Sequence, residues 1–261
     1  IAALPRTPGT DAMRLFLEGR IARAAGEWTK AKDILVEARR FLPNTNAMAE
    51  RTDLALAQCY GQLELIEDET RTYRRVLKYR SESIPARLGL AATHLKADRL
   101  EEAIAEYQPL SHLPQVRLAL ARLMIIQNLR MPDVARNWRP VVALLDQARE
   151  HGDDAVAETL LRAEVLTARK KYDEAKALIQ SAQASQTDHV EFRLALSRIA
   201  DRTGDRQRAA LWLGQALAAA GSDEAEQKLV EAVEADATDA EASQTLMRFY
   251  LARDRREDAL A

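Results

Sequence analysis

The side chains able to do chemistry are few and scattered. Four histidines, His94, His112, His151 and His189, stand far apart in the chain. None has a cysteine or carboxylate at metal-ligand spacing. A lone imidazole acts as a general base only when a second group orients it, so no catalytic base, metal or cofactor is expected. The single cysteine, Cys59, excludes an internal disulfide and lies in the run Leu54-Ala-Leu-Ala-Gln-Cys-Tyr60. A thiol in such a run is expected to be buried and inert. The densest acidic run, Glu67-Asp-Glu69, falls at a predicted turn and reads as solvated surface charge. No glycine-rich phosphate loop, nucleophile elbow or His-Glu-x-x-His pattern occurs. Guanidinium, in contrast, is abundant: 30 of the 38 basic residues are arginine. Its planar fork pairs with carboxylates, either on a neighbouring element or on a ligand.

Elements must position those forks, and the composition says which kind. The 261 residues are 47% hydrophobic, 30% charged and 5% aromatic, with 9 Gly and 8 Pro, a balance that favours helices and supports a continuous core. A formal charge of -2 provides no global field toward nucleic acid or an anionic membrane. Every apolar run is broken by Arg, Glu or Asp well short of the ~20 residues of a membrane span. The chain runs from Ile1 to Ala261, and a leader, anchor or further domain is expected outside those ends, which leaves cytoplasm and periplasm both open as its compartment.

One phrase recurs: Gly26-Glu-Trp-Thr-Lys-Ala31, Asp98-Arg-Leu-Glu-Glu-Ala103, Lys170-Lys-Tyr-Asp-Glu-Ala175, Gly204-Asp-Arg-Gln-Arg-Ala209 and Asp254-Arg-Arg-Glu-Asp-Ala259. The closing alanines step by 72, 72, 34 and 50 residues, which is a repeat of about 36 followed by an irregular last interval. Amphipathic segments flank each phrase, so the unit is a helix-turn-helix hairpin and the phrase is its turn. Pro43, Pro85 and Pro114 fall where hairpins meet. Asp98 with Glu101, and Asp188 with Glu191, have capping-box spacing and predict helix starts. Residues 129–140 lengthen the turn of the fourth hairpin, with Pro140 expected in the first turn of the helix that follows.

The pattern resembles the tetratricopeptide repeat family. Gly19, Trp28, Ala31, Ala38 and Pro43 match in the first unit; Tyr60 and Tyr73 in the second, where Glu69 replaces the usual alanine. Ala91, Ala103 and Tyr107 match in the third, Ala163, Tyr172, Ala175 and Ala182 in the fifth, and Ala209 and Ala216 in the sixth. The resemblance implies an all-α, right-handed superhelical solenoid of about seven hairpins over residues 11–261, after a leader at 1–10. The approximate repeats are 12–45, 50–83, 84–114, 115–152, 155–188 and 189–222, with 223–261 irregular. The small residues fit packing, because facing helices approach closely only where side chains are small.

In this family the first helix of each hairpin lines the concave face, where an extended or helical peptide is commonly held. The matching positions are Arg20, Arg23, Arg51, Gln58, Gln62, Lys96, Arg122, Arg198, Arg202 and Arg248. That line is basic, and it reads either as a groove for an acidic or carboxylate-ended segment or as solvated faces and ion pairs between repeats. The clamp of family members that hold chaperone C-termini is not supported: its positions carry Phe16 and Arg20, Ala55, and Pro85 and Gly89. The resemblance implies a non-catalytic scaffold for a protein or peptide partner. The alternative is a repeat arm of a larger enzyme or of an envelope polysaccharide-export assembly. Nucleic acid is disfavoured, since no aromatic platforms interleave the basic positions.

Overall fold

Six turns share one backbone device, which the lengthened turn at 129–140 does not use. The first residue of the recurring phrase, and Glu64 at the matching place five residues before Glu69, takes a left-handed conformation: Gly26, Glu64, Asp98, Lys170, Gly204 and Asp254 have φ between 54° and 81°. The amide of the next residue then bonds back to the helix it has left: Glu27 to Ala22, Leu65 to Tyr60, Arg99 to His94, Lys171 to Leu166, Asp205 to Ala200 and Arg255 to Tyr250, each at 2.9 Å. This is a Schellman cap, which closes orphan carbonyls at the helix end and reverses the chain within two residues. Glycine enters the left-handed region without strain; the other four residues do so against a Cβ clash. The cap also overrides the capping-box spacing at Asp98. That residue is the left-handed one, and the helix starts at Leu100 with Arg99 as its N-cap. Asp188, the other expected cap, lies outside the described residues.

The computed structural model describes residues 7–44, 47–185 and 189–259. These residues form fourteen α-helices and no strand: α1 (Pro8–Ala24), α2 (Trp28–Arg40), α3 (Ala47–Gln62), α4 (Ile66–Tyr79), α5 (Ile84–Lys96), α6 (Leu100–Tyr107), α7 (Pro114–Arg130), α8 (Arg139–Glu150), α9 (Ala155–Ala168), α10 (Tyr172–Ser185), α11 (Val190–Thr203), α12 (Arg206–Ala219), α13 (Glu224–Ala235) and α14 (Ala240–Ala252). Residues 1–6 of the expected leader are not among the described ones, and Thr7 caps α1. Pro140 sits in the first turn of α8, as expected.

The chain divides into two compact units, residues 1–127 and 128–261. In the first, each helix from α1 to α6 packs on the next, and α1, α3 and α5 also touch in series. Ala31, Leu35, Ala57, Val76, Ala86 and Leu90 are fully buried there, with Trp28 and Tyr60 half-buried against them. Close approach is required at Gly19: a Cβ there would lie 2.7 Å from Leu35 Cγ on α2. In the second unit, Ala175, Ile179, Phe192 and Leu196 form one core and Leu211, Ala225, Leu229 and Ala242 another.

The irregular C-terminal interval holds one additional helix. Helix α12 closes the hairpin begun by α11, yet a Cβ on its Gly214 would meet Leu229 of α13 at 2.7 Å, repeating the relation of Gly19 to α2. It also touches α14, as α9 touches α11. Helix α12 is thus the second helix of one pair and the first of the next. Short turns make successive helices antiparallel, so α14 runs opposite to α11.

Candidate functional site

Arginine is divided between two employments. One group ties helices together. Arg39 on α2 and Arg75 on α4 converge on Asp53 of α3, a carboxylate with 0% exposure: Arg39 Nε lies 3.0 Å from each oxygen, Arg75 donates at 3.1 and 2.5 Å, and the Tyr79 hydroxyl donates at 2.9 Å. Burial, and then the Asp53 charge, hold the Tyr79 phenol well above its ordinary pKa. In the second unit Glu158 on α9 is 4% exposed and is held by Arg162 at 2.6 Å and by Arg149 of α8 at 3.3 Å. Arg162 also reaches Asp146 of α8 at 2.9 Å. Arg208 pairs with Glu241 at 2.6 Å, and Arg255 with Glu226 at 2.5 Å. Such pairs fix one repeat against its neighbour.

The second group lies on exposed helix faces. Arg20 is exposed and its guanidinium stands 5.8 Å from the centre of the Phe16 ring. Arg23 donates to Gln58 of α3, joining two of the positions singled out in the sequence. Gln62 and Arg51 are exposed on α3, and Lys96 ends α5 with its amine 4.0 Å from Glu69. Arg122 is exposed on α7. Arg198 and Arg202 are exposed one turn apart on α11 and hold no ion pair among the described residues. Arg248, 3.5 Å from Gln244, stands on α14, the helix that runs opposite to α11.

Counting eleven residues back from each turn-closing position gives Arg20, Gln58, Ala92, Glu164, Arg198 and Arg248, and all six are exposed. The repeat register therefore does define one outward position in each hairpin that carries the recurring turn. Its chemistry is less uniform than the basic line expected: Glu164 on α9 places a carboxylate before Arg198.

Glu69 departs from its expected surface role. It is 4% exposed, at the place where other hairpins have a buried alanine, and Gly61 makes room for it: a Cβ there would lie 2.7 Å from Glu69 Oε1. Only Glu67 and Asp68 behave as surface charge, pairing with Arg99 at 3.0 Å and Arg71 at 3.1 Å. Cys59 is buried as expected, and burial raises its thiol pKa. His94 is 2% exposed, and burial, with Arg74 next, lowers its pKa. No group of three His, Cys, Asp or Glu among the described residues could hold a metal ion. The sequence signal missed was the lone acid inside an apolar helix face, at Asp53 and at Glu158.

Antiparallel helix pairs stacked through one recurring turn define a helical-repeat fold. No protein-family model and no curated protein matches the chain. Among solved structures it is similar to a tetratricopeptide repeat protein from Parabacteroides merdae, at 14% identity and TM-score 0.64, covering 93% of this chain and 99% of that one. It is also similar to the assembly chaperone of RpL4, at 14% identity and TM-score 0.53, covering 94% and 98%. The fold is that of the tetratricopeptide repeat. Among the described residues no helix is long and apolar enough to cross a membrane.

Proposed function

We propose that the chain is a protein-interaction scaffold that holds an acidic segment of a partner protein on exposed first-helix faces. The observation that carries this reading is the pair Arg198 and Arg202. Where arginine serves the fold here it is paired, as at Asp53 and Glu158; these two are exposed, aligned one turn apart and unpaired among the described residues. Two guanidinium forks on side chains one turn apart suit carboxylates on an extended or helical segment. In the other unit, Arg20, Arg23, Gln58, Gln62 and Lys96 offer donors on α1, α3 and α5, and Arg51 and Arg122 are exposed on α3 and α7. One structural neighbour is named as the assembly chaperone of another protein, RpL4, which accords with a holding role.

The test is quantitative capture by the full chain, with the retained partner identified, purified and titrated. Reversing Arg198 and Arg202 to Glu is expected to weaken binding by about tenfold or more, with helicity and melting unchanged, and raised salt is expected to weaken the wild type. Unchanged affinity in the double variant refutes the assignment.

A further inference from the structure

The loop between α7 and α8 is built to hold apolar side chains in solvent. Within the second unit, Leu129 and Met131 before the 3-10 turn Asp133–Ala135 and Val134 inside it are exposed, Val134 at 98%. The backbone beneath them is braced. Arg136 Nε donates to the carbonyls of Asn128 at 3.0 Å and Met131 at 3.1 Å, and its Nη1 meets Asp133 at 2.5 Å. The buried Asn128 side chain accepts from the Asn137 amide at 2.7 Å, and Lys170 reaches Asp133 from the α9–α10 turn at 3.4 Å. The polar groups at the tip are thus engaged within the loop, while its apolar groups are not. Arg139 and Arg169 flank this region, exposed and without an ion pair among the described residues. A rigid apolar projection with a cationic border is preorganised for an apolar recess with an acidic border.

The same unit carries such a surface. The outer side of α13 forms a shallow depression of about 600 Å³ lined by Asp223, Glu226, Gln227, Val230, Glu231 and Glu234. Val230 is half-buried there; Asp223, Glu226 and Glu231 are engaged by Arg253, Arg255 and Lys228, which leaves Glu234 exposed and unpaired among the described residues. We infer that the α7–α8 loop docks on the α13 face of a second copy of this chain, Val134 against Val230 and Arg139 toward Glu234. Made reciprocally about a two-fold axis this contact closes a dimer, and made head-to-tail it builds chains or rings.

Sedimentation equilibrium of the full chain over a concentration series tests this. The average mass is expected to rise with concentration, and less steeply in high salt. Val134→Asp is expected to lower the association constant about tenfold or more, while Val134→Ile leaves it nearly unchanged. Arg139→Glu and Glu234→Arg each weaken association, and the double variant recovers it. Melting curves of every variant establish that the fold is intact. A chain that stays monomeric throughout, or self-association indifferent to Val134→Asp, overturns the inference. Val134-dependent binding to phosphatidylserine vesicles without self-association also overturns it, in favour of a lipid surface.

Discussion

Replacing Asp53 by Ala tests whether the paired arginines hold the repeats together. The change removes one carboxylate from three donors on two other helices, Arg39, Arg75 and Tyr79. Leaving buried partners of an ion pair uncompensated costs about 3–5 kcal/mol. Arg75 is 39% exposed at its side chain and regains water, whereas Arg39 is 13% exposed and regains little. The expected loss is therefore near the lower end, about 3 kcal/mol, or a fall in melting temperature on the order of 10 °C. Asp53→Asn keeps an acceptor oxygen and loses the charge, so about half of that loss is expected. Repeat arrays need not unfold in one step, so urea denaturation is best paired with amide hydrogen exchange. Exchange should accelerate in α2, α3 and α4 before it does in α9 to α14. A loss under about 1 kcal/mol, or equal acceleration in both units, would refute the idea that this buried carboxylate clamps three helices.

Two further outcomes concern the fold. His94 is neutral in its buried site with a folded pKa below the unfolded value of about 6.5, so its contribution is complete above that pH and fades as pH falls through it, because the unfolded chain takes up the proton first. The urea midpoint should accordingly drop more between neutral and mildly acid pH in the wild type than in His94→Gln, and parallel curves would exclude His94 as the cause. Ala175→Leu should destabilise the second unit by about 1–3 kcal/mol through overpacking, since Ala175 is fully buried against Ile179 and Phe192; a neutral result in thermal denaturation would mean that the turn-closing alanine is not a close-packing site.

The hairpin rhythm was legible because its cause is local. A left-handed residue, a helix start and a buried small residue recur at fixed spacing, and the chain spells them out at Gly26 to Ala31, Asp98 to Ala103 and Lys170 to Ala175. Asp98 misled because a capping box and the recurring turn share an acid followed three residues later by Glu, and only the backbone tells them apart. Glu69 and Asp53 were unreadable for a different reason. Whether a carboxylate is buried depends on what faces it, here Gly61 for one and Arg39 with Arg75 for the other, and those partners come from other helices. The outward faces were legible as positions, but the break at Glu164 shows that register places a side chain without choosing its charge.

The lone helix α13 has a consequence for any hairpin that follows. Copying whole repeats preserves the direction of every first helix; inserting a single helix reverses it. The Tyr250-to-Ala259 phrase thus restarts the pattern on α14 with its polarity inverted relative to α9 and α11. A module stacked onto α14 in the usual register would present its first helices on the side where the preceding ones present their second. The interval is thus the place in the array where the direction of the first helices inverts.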